Sequence, residues 1–96
     1  MKALVLVTDN NDKHIRWLFD RVLAMIAYDI DLRVVFINEG CKQLIENKIW
    51  KALPMYGVDE IYDFDATIHK NESLLCSESI SSTELRLMVA QADIVL

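Results

Sequence analysis

Two apolar runs separated by one amphipathic stretch constrain the fold of this chain more than any other feature. Lys2–Thr8 and Leu32–Ile37 are short, nearly continuous apolar runs, which is typical of strands covered on both faces. Between them, apolar residues recur at helical spacing, namely Ile15, Leu18, Phe19, Val22, Leu23 and Ile26. Two buried strands joined by a helix predict a parallel sheet.

The same alternation continues along the rest of the chain. We predict a helical segment over Cys41–Leu53, in one or two pieces, and a strand over Val58–Phe64. The inward residues of that segment are predicted to be Leu44, Ile45, Ile49 and Leu53. A weaker strand pattern covers Ser73–Cys76, a helix follows it, and Asp93–Leu96 is the last strand. The sequence therefore predicts an α/β domain in three α/β/α layers, with a mostly parallel sheet of about five strands.

Several residues mark where these helices begin and end. Asp12 is the predicted N-cap of the first helix. Pro54 kinks or ends the second helical segment, and Gly57 is its predicted C-terminal stop. Ser81, with Glu84 three residues later, forms a capping box that opens the last helix.

The length of the chain predicts one domain, residues 1–96, with surplus apolar surface. A domain of this size buries only ~60–65% of the surface that its unfolded chain exposes. The chain has 53% apolar residues with only 2 Gly and 1 Pro, so some apolar side chains must lie at the surface. A partner subunit usually covers such surface, and we therefore expect an oligomer.

Charge and cysteine content limit the possible partners and the compartment. The formal net charge is −5, and the Lys and Arg residues form no cluster, which disfavours direct binding to a nucleic acid. The apolar amino-terminal run lacks a cleavage signature, and no apolar run approaches the ~20 residues of a membrane span. Two cysteines without a secretory context predict reduced thiols and a cytoplasmic protein.

Polar side chains follow the predicted strands at the edge where ligands of open sheets gather. They are Asp9, Asp12 and His14 after the first strand, Glu39 and Cys41 after the second, and Asp63 and Asp65 after the third. This edge lacks the glycines that close approach to phosphate requires. A dinucleotide or nucleoside-triphosphate site is therefore disfavoured, and no cofactor is predicted.

Cys41 supports two interpretations. A thiol at the start of a helix, with His14 as a base, is an enzyme-like arrangement for a persulfide carrier. Glu39 lies close in sequence and disfavours a thiolate at that place. The favoured interpretation is that Cys41 is a small apolar residue that fills space, as Cys76 is, and that His14 is solvated.

The carboxylates Asp9, Asp12, Asp63 and Asp65 also suggest a divalent-cation site of the kind found in receiver domains. Receivers usually place two acids directly after the first strand, whereas here Thr8 precedes a single Asp9. Helix capping and a soluble rim explain these acids better, so no metal is predicted.

Large aromatic and sulfur-containing side chains form a candidate contact surface. They are Trp17, Met25, Tyr28, Trp50 and Tyr56. Part of this set should lie in the core, and the remainder has the composition that is enriched at subunit interfaces.

Three segments resemble the DsrE/DsrF/DsrH-like family of sulfur-relay proteins. Ile49–Tyr62 is similar to the helix, turn and third strand of its DsrF/TusC branch. Phe36–Gly40, followed by Gln43 and Leu44, resembles the strand-end acid–Gly element of that branch, and Ala92–Leu96 resembles its last strand.

The resemblance implies a three-layer fold that associates with DsrE/TusD-like and DsrH/TusB-like paralogues. Such complexes pass sulfur as a cysteine persulfide, in the TusBCD case toward 2-thiolation of the wobble uridine of tRNA. Asp63 stands at or near the place of the carrier cysteine, and Cys41 stands where the branch usually has an aliphatic residue. The expected function is therefore that of a subunit without chemistry of its own. The alternatives are a stand-alone homo-oligomeric carrier that uses Cys41, and a receiver-like metal-binding module.

Overall fold

A computed structural model describes residues 1–64 and 77–96 and shows one five-stranded sheet. The strands are β1 (Lys2–Val7), β2 (Asp31–Ile37), β3 (Ile61–Phe64), β4 (Glu78–Ser79) and β5 (Ile94–Val95). Their order is β4-β3-β2-β1-β5, and every neighbouring pair is parallel. The predicted α/β class with a parallel sheet of about five strands is confirmed.

Helices lie on both faces of this sheet, which is compatible with three layers. They are α1 (Asp12–Ala27), α2 (Gln43–Glu46), α3 (Ala52–Met55) and α4 (Ser82–Gln91), with 3₁₀ turns at Asn38–Lys42 and Lys48–Lys51. The apolar residues of α1 and of segment 41–58 form one core with one face of the sheet. The apolar residues of α4 pack on the opposite face. Among the described helices, none is both long and apolar enough to cross a membrane.

The direction of the strand order reverses at β1. From β1 the chain proceeds to β2, β3 and β4 on one side, and β5 then pairs with the other edge of β1. Ligands of open α/β sheets bind beside such a point, at the carboxyl ends of the strands. The loop between β1 and α1, residues 8–11, lies at that position.

The predicted helix stripe is confirmed, but the predicted N-cap is wrong. Ile15, Leu18 and Val22 are buried against the sheet. The cap is Asn11, whose backbone is extended and whose side chain accepts a hydrogen bond from the amide of His14 at 3.1 Å. Asp12 is already the first residue of α1 and therefore cannot cap it.

The segment after β2 is more broken than predicted, because it consists of two 3₁₀ turns and two helices of one turn each. Asn47 interrupts it with an extended backbone, and its side chain caps the amide of Ile49 at 3.1 Å. Leu44 and Leu53 are buried as predicted, whereas Ile49 is exposed and Trp50 is buried in its place. The side chain of Ile45 lies outside the described part of the chain.

The predicted element ends are partly confirmed. Gly57 ends α3 with a φ of 85°, and Val58 remains in that turn, so β3 begins three residues later than predicted. The amide of Glu84 donates to Ser81 Oγ at 3.2 Å, as the capping box requires. The strand predicted over Ser73–Cys76 lies outside the described residues.

Candidate functional site

Cys41 lies in the 3₁₀ turn after β2, and its side chain is fully buried. Its Sγ donates to the carbonyl oxygen of Phe36 at 3.2 Å and lies 3.8 Å from that of Phe64. A thiol that carries sulfur must be reached by a donor and an acceptor. A fully buried thiol that donates to backbone carbonyls instead fills core space.

Gly40 explains why this turn can pack so closely against the end of β1. A Cβ atom on Gly40 would lie 1.8 Å from the carbonyl oxygen of Val7 and 3.1 Å from the amide nitrogen of Thr8. Only a residue without a side chain fits there. The close approach places Cys41 in the core and fixes the turn beside the β1–α1 loop.

His14 is paired with Asp9, whereas Cys41 donates to a backbone carbonyl, so the less favoured interpretation of a Cys41–His14 dyad has no support in the described residues. His14 Nδ1 lies 2.9 Å from Asp9 Oδ2. The other carboxylate oxygen of Asp9 accepts from the amide of Asn11 at 3.2 Å. The turn that lets Asn11 cap α1 therefore also brings Asp9 to the imidazole ring.

The His14 ring is also held by an aromatic neighbour. It stacks on Trp17, with a centroid separation of 6.0 Å and an interplanar angle of 16°. The guanidinium carbon of Arg21 lies 5.2 Å from the centroid of the Trp17 ring, which is a cation–π contact. Asp9, His14, Trp17 and Arg21 together form what we call the Asp9–His14 edge.

Gln43 is a buried polar residue that links the β1–α1 loop to the segment after β2. Its amide nitrogen donates to Asn10 Oδ1. Its amide oxygen accepts from Asn47 Nδ2 at 2.8 Å and from Trp50 Nε1 at 3.1 Å. A buried amide bonded in this way fixes the positions of the β1–α1 loop, α2 and the 3₁₀ turn at Lys48–Lys51 relative to one another.

Asp63 is buried, and two serines donate to its carboxylate. Ser77 Oγ and Ser79 Oγ each lie 2.7 Å from one of its oxygens. This arrangement ties β4 to β3. Asp65 lies outside the described residues, and in residues 1–64 and 77–96 no three acidic, histidine or cysteine groups could share a metal ion.

The five residues of the candidate contact surface divide into exposed and buried members. Trp17, Tyr28 and Tyr56 are 46%, 81% and 56% exposed, whereas Met25 and Trp50 are only 8% and 1% exposed. Part of the set therefore lies in the core, as predicted: Met25 lies on the buried side of α1, and Trp50 packs edge-on against two phenylalanine rings. Met55, which the sequence analysis omitted, is 86% exposed beside Tyr56.

The electrostatics of the Asp9–His14 pair lead to a test. The hydrogen bond from His14, followed by that from the Asn11 amide, holds the pKa of Asp9 below its ordinary value of 3.8. We expect His14→Ala to raise the pKa of Asp9 toward that value in an NMR titration of the side-chain carboxyl. An unchanged Asp9 pKa would contradict the pairing.

The sign of the linked stability effect follows from the lowered pKa. A depressed carboxyl pKa contributes stability above the unfolded-state pKa, and this contribution is lost as the pH falls through the folded-state value. Both side chains are nearly half exposed, so the effect on unfolding is small.

Comparison with protein-family models gives no match for this chain, and comparison with curated proteins gives none either. The site is thus described by its own geometry. At the carboxyl edge of the sheet lie the buried thiol of Cys41, the buried carboxylate of Asp63, and the Asp9–His14 pair beside the exposed ring of Trp17.

Proposed function

We propose that this chain is a non-catalytic, TusC/DsrF-like subunit of a cytoplasmic sulfur-relay complex. The complex would pass persulfide sulfur, toward 2-thiolation of the wobble uridine of tRNA. The observation that carries this proposal is the burial of Cys41, since the one cysteine within the described residues is sealed in the core. A chain that resembles the DsrF/TusC branch, and whose Cys41 thiol a sulfur donor cannot reach, fits the role of a supporting subunit.

The surroundings of Asp63 also support the proposal. By the resemblance, Asp63 stands at or near the place of the carrier cysteine of the DsrE/TusD branch. Its carboxylate is buried and accepts from two serine hydroxyls, so it has a structural role between β3 and β4. A carboxylate cannot hold a sulfane sulfur, and the persulfide therefore belongs to another subunit.

The exposed aromatic residues provide area for contact with such subunits. Trp17, Tyr28 and Tyr56 are large, rigid side chains that lie at the surface of an otherwise well-packed domain. Residues of this type are enriched at protein interfaces and among their energetic hot spots. The partners would be DsrE/TusD-like and DsrH/TusB-like subunits with the same three-layer fold.

Native mass spectrometry of the tagged chain, purified from its own host, tests the proposal. We expect stoichiometric recovery with two related small proteins, one of which bears the mass increment of a persulfide. Because Cys41 does not carry sulfur, Cys41→Ala should leave that increment on the partner unchanged. Cys76→Ala serves as the matched control for the loss of a thiol.

Two outcomes would contradict the proposal. One is a homo-oligomer that bears the persulfide increment itself and loses it in Cys41→Ala, which would make this chain the carrier. The other is a stable monomer that recovers no related subunit.

A further inference from the structure

We propose that the Asp9–His14 pair is a proton-accepting site that activates the carrier thiol of the neighbouring subunit. This inference rests on the proposed function in so far as the chain carries no sulfur itself; in place of a purely structural role, it assigns the Asp9–His14 pair the role of a base that serves the partner's thiol. The substrate class is a cysteine thiol that receives sulfur from a protein persulfide.

The imidazole ring of His14 is held in one orientation. Asp9 Oδ2 lies 2.9 Å from Nδ1, and the Trp17 ring stacks against one face of the imidazole. An acceptor at Nδ1 places the proton of the neutral ring on that nitrogen, which leaves the lone pair on Nε2. Within residues 1–64 and 77–96, Nε2 of His14 makes no hydrogen bond, so it can accept a proton from outside the chain.

Capping of α1 does not account for the Asp9–His14 pair. Asn11 already satisfies the amide of His14 through its own side chain, at 3.1 Å. One carboxylate oxygen of Asp9 accepts from the amide of Asn11, which leaves the other for the imidazole side chain. An aspartate that orients an imidazole and stabilises its charged form is the arrangement that general-base catalysis uses.

The Asp9–His14 pair also lies at a favourable position in the fold for a binding site. It follows β1, where the strand order reverses, at the edge at which ligands of such sheets bind. The side chains of His14 and Asp9 are 41% and 46% exposed, so this chain supplies only one wall of a site. The exposed ring of Trp17 and the guanidinium of Arg21 adjoin the pair and provide contacts for a subunit that would complete it.

The charges around the ring are compatible with proton transfer. Asp9 from the loop faces the ring directly, and Arg21 lies beyond Trp17 on α1. Glu46 on α2 is held by Asn10, whose amide nitrogen donates to it at 3.2 Å. Among the described residues, Asp9 is therefore the charged group that contacts the imidazole directly.

The sulfur transfer that the pair would assist is balanced without an external oxidant. The thiol proton of the acceptor cysteine moves to His14 Nε2, and Asp9 stabilises the resulting imidazolium. The thiolate attacks the terminal sulfur of the donor persulfide, an S–S bond forms on the acceptor, and the S–S bond of the donor breaks. The donor leaves as a thiolate and takes the proton from His14.

A single-turnover assay of the purified complex tests the inference. A persulfidated protein donor is mixed with the complex, and the increment on the carrier subunit is followed by mass spectrometry over a range of pH. We expect His14→Gln to lower the transfer rate about 100-fold. The rise of the rate with pH that reflects loss of a proton from His14 should also disappear. Added imidazole should restore part of the rate in His14→Ala.

Matched controls separate chemistry from assembly. Asp9→Asn should slow the transfer, whereas Asp12→Asn, which removes the same charge from the neighbouring exposed residue, should not. Native mass spectrometry of each variant verifies that the complex is intact. A rate and pH profile unchanged by His14→Gln in an intact complex would overturn the inference and leave the proposed function standing. If no carrier subunit is recovered, both proposals fall.

Discussion

Replacing Gly40 with alanine is expected to destabilise the fold by at least about 3 kcal/mol. The added Cβ would lie 1.8 Å from the carbonyl oxygen of Val7 and 2.5 Å from its carbonyl carbon. Both atoms belong to the backbone of β1, an interior strand of the sheet, so no side-chain rotation can relieve the clash. The free energy of unfolding from urea denaturation, followed by far-UV circular dichroism, is the measurement.

Gly57→Ala is the matched control for this prediction. Gly57 has a φ of 85°, but a Cβ there would meet no atom within 4 Å. Gly57→Ala should therefore lower the free energy of unfolding only through the strain of a left-handed backbone at a non-glycine residue, about 1–2 kcal/mol. Equal losses for the two variants would show that Gly40 and β1 do not approach each other closely.

Replacing Trp50 with alanine is expected to cost about 3–5 kcal/mol. The indole packs edge-on against Phe19 and Phe36, with ring centroids 5.3 Å away in each case. Its Nε1 also donates to Gln43 Oε1. The substitution removes the largest fully buried side chain of the described core. It also removes the hydrogen bond that Gln43 Oε1 accepts from the indole. Urea denaturation measures the loss.

Two further substitutions divide this effect into its parts. Trp50→Phe keeps a ring in the core but loses the hydrogen bond to Gln43, for which we expect a loss of about 1–3 kcal/mol. Trp17→Ala removes an indole that is nearly half exposed and should cost below about 1 kcal/mol. A similar stability for Trp50→Ala and Trp17→Ala would contradict the burial of Trp50.

The parts of the fold that follow from periodicity could be predicted from the sequence. The stripe of α1 is uninterrupted over Asp12–Ala27, and the two long strands are continuous apolar runs, so burial alone determines their structure. The segment after β2 could not be predicted in the same way. Asn47 adopts an extended conformation in the middle of it, and this rotates Trp50 inward and Ile49 outward.

The candidate site was predicted less well than the fold, because it depends on local turns and not on periodicity. The burial of Cys41 agrees with its favoured interpretation as a space-filling residue, but the partner of His14 could not be predicted from the spacing. The pairing of Asp9 with His14 depends on Asn11 as the cap, since that turn brings together two side chains five residues apart. The buried amide of Gln43 gave no signal, because it contacts residues that are distant in sequence.

The placement of β5 beside β1 has a consequence for the order of folding during synthesis. β1 precedes the other described strands and leaves the ribosome before them, but one of its edges pairs with Ile94 and Val95. The amide of Asp93 also donates to the carbonyl of Lys2 at 2.8 Å. One edge of β1 therefore stays unpaired until nearly all of these residues have been translated. During that interval the nascent chain presents an open strand edge, the feature through which incomplete chains associate with one another.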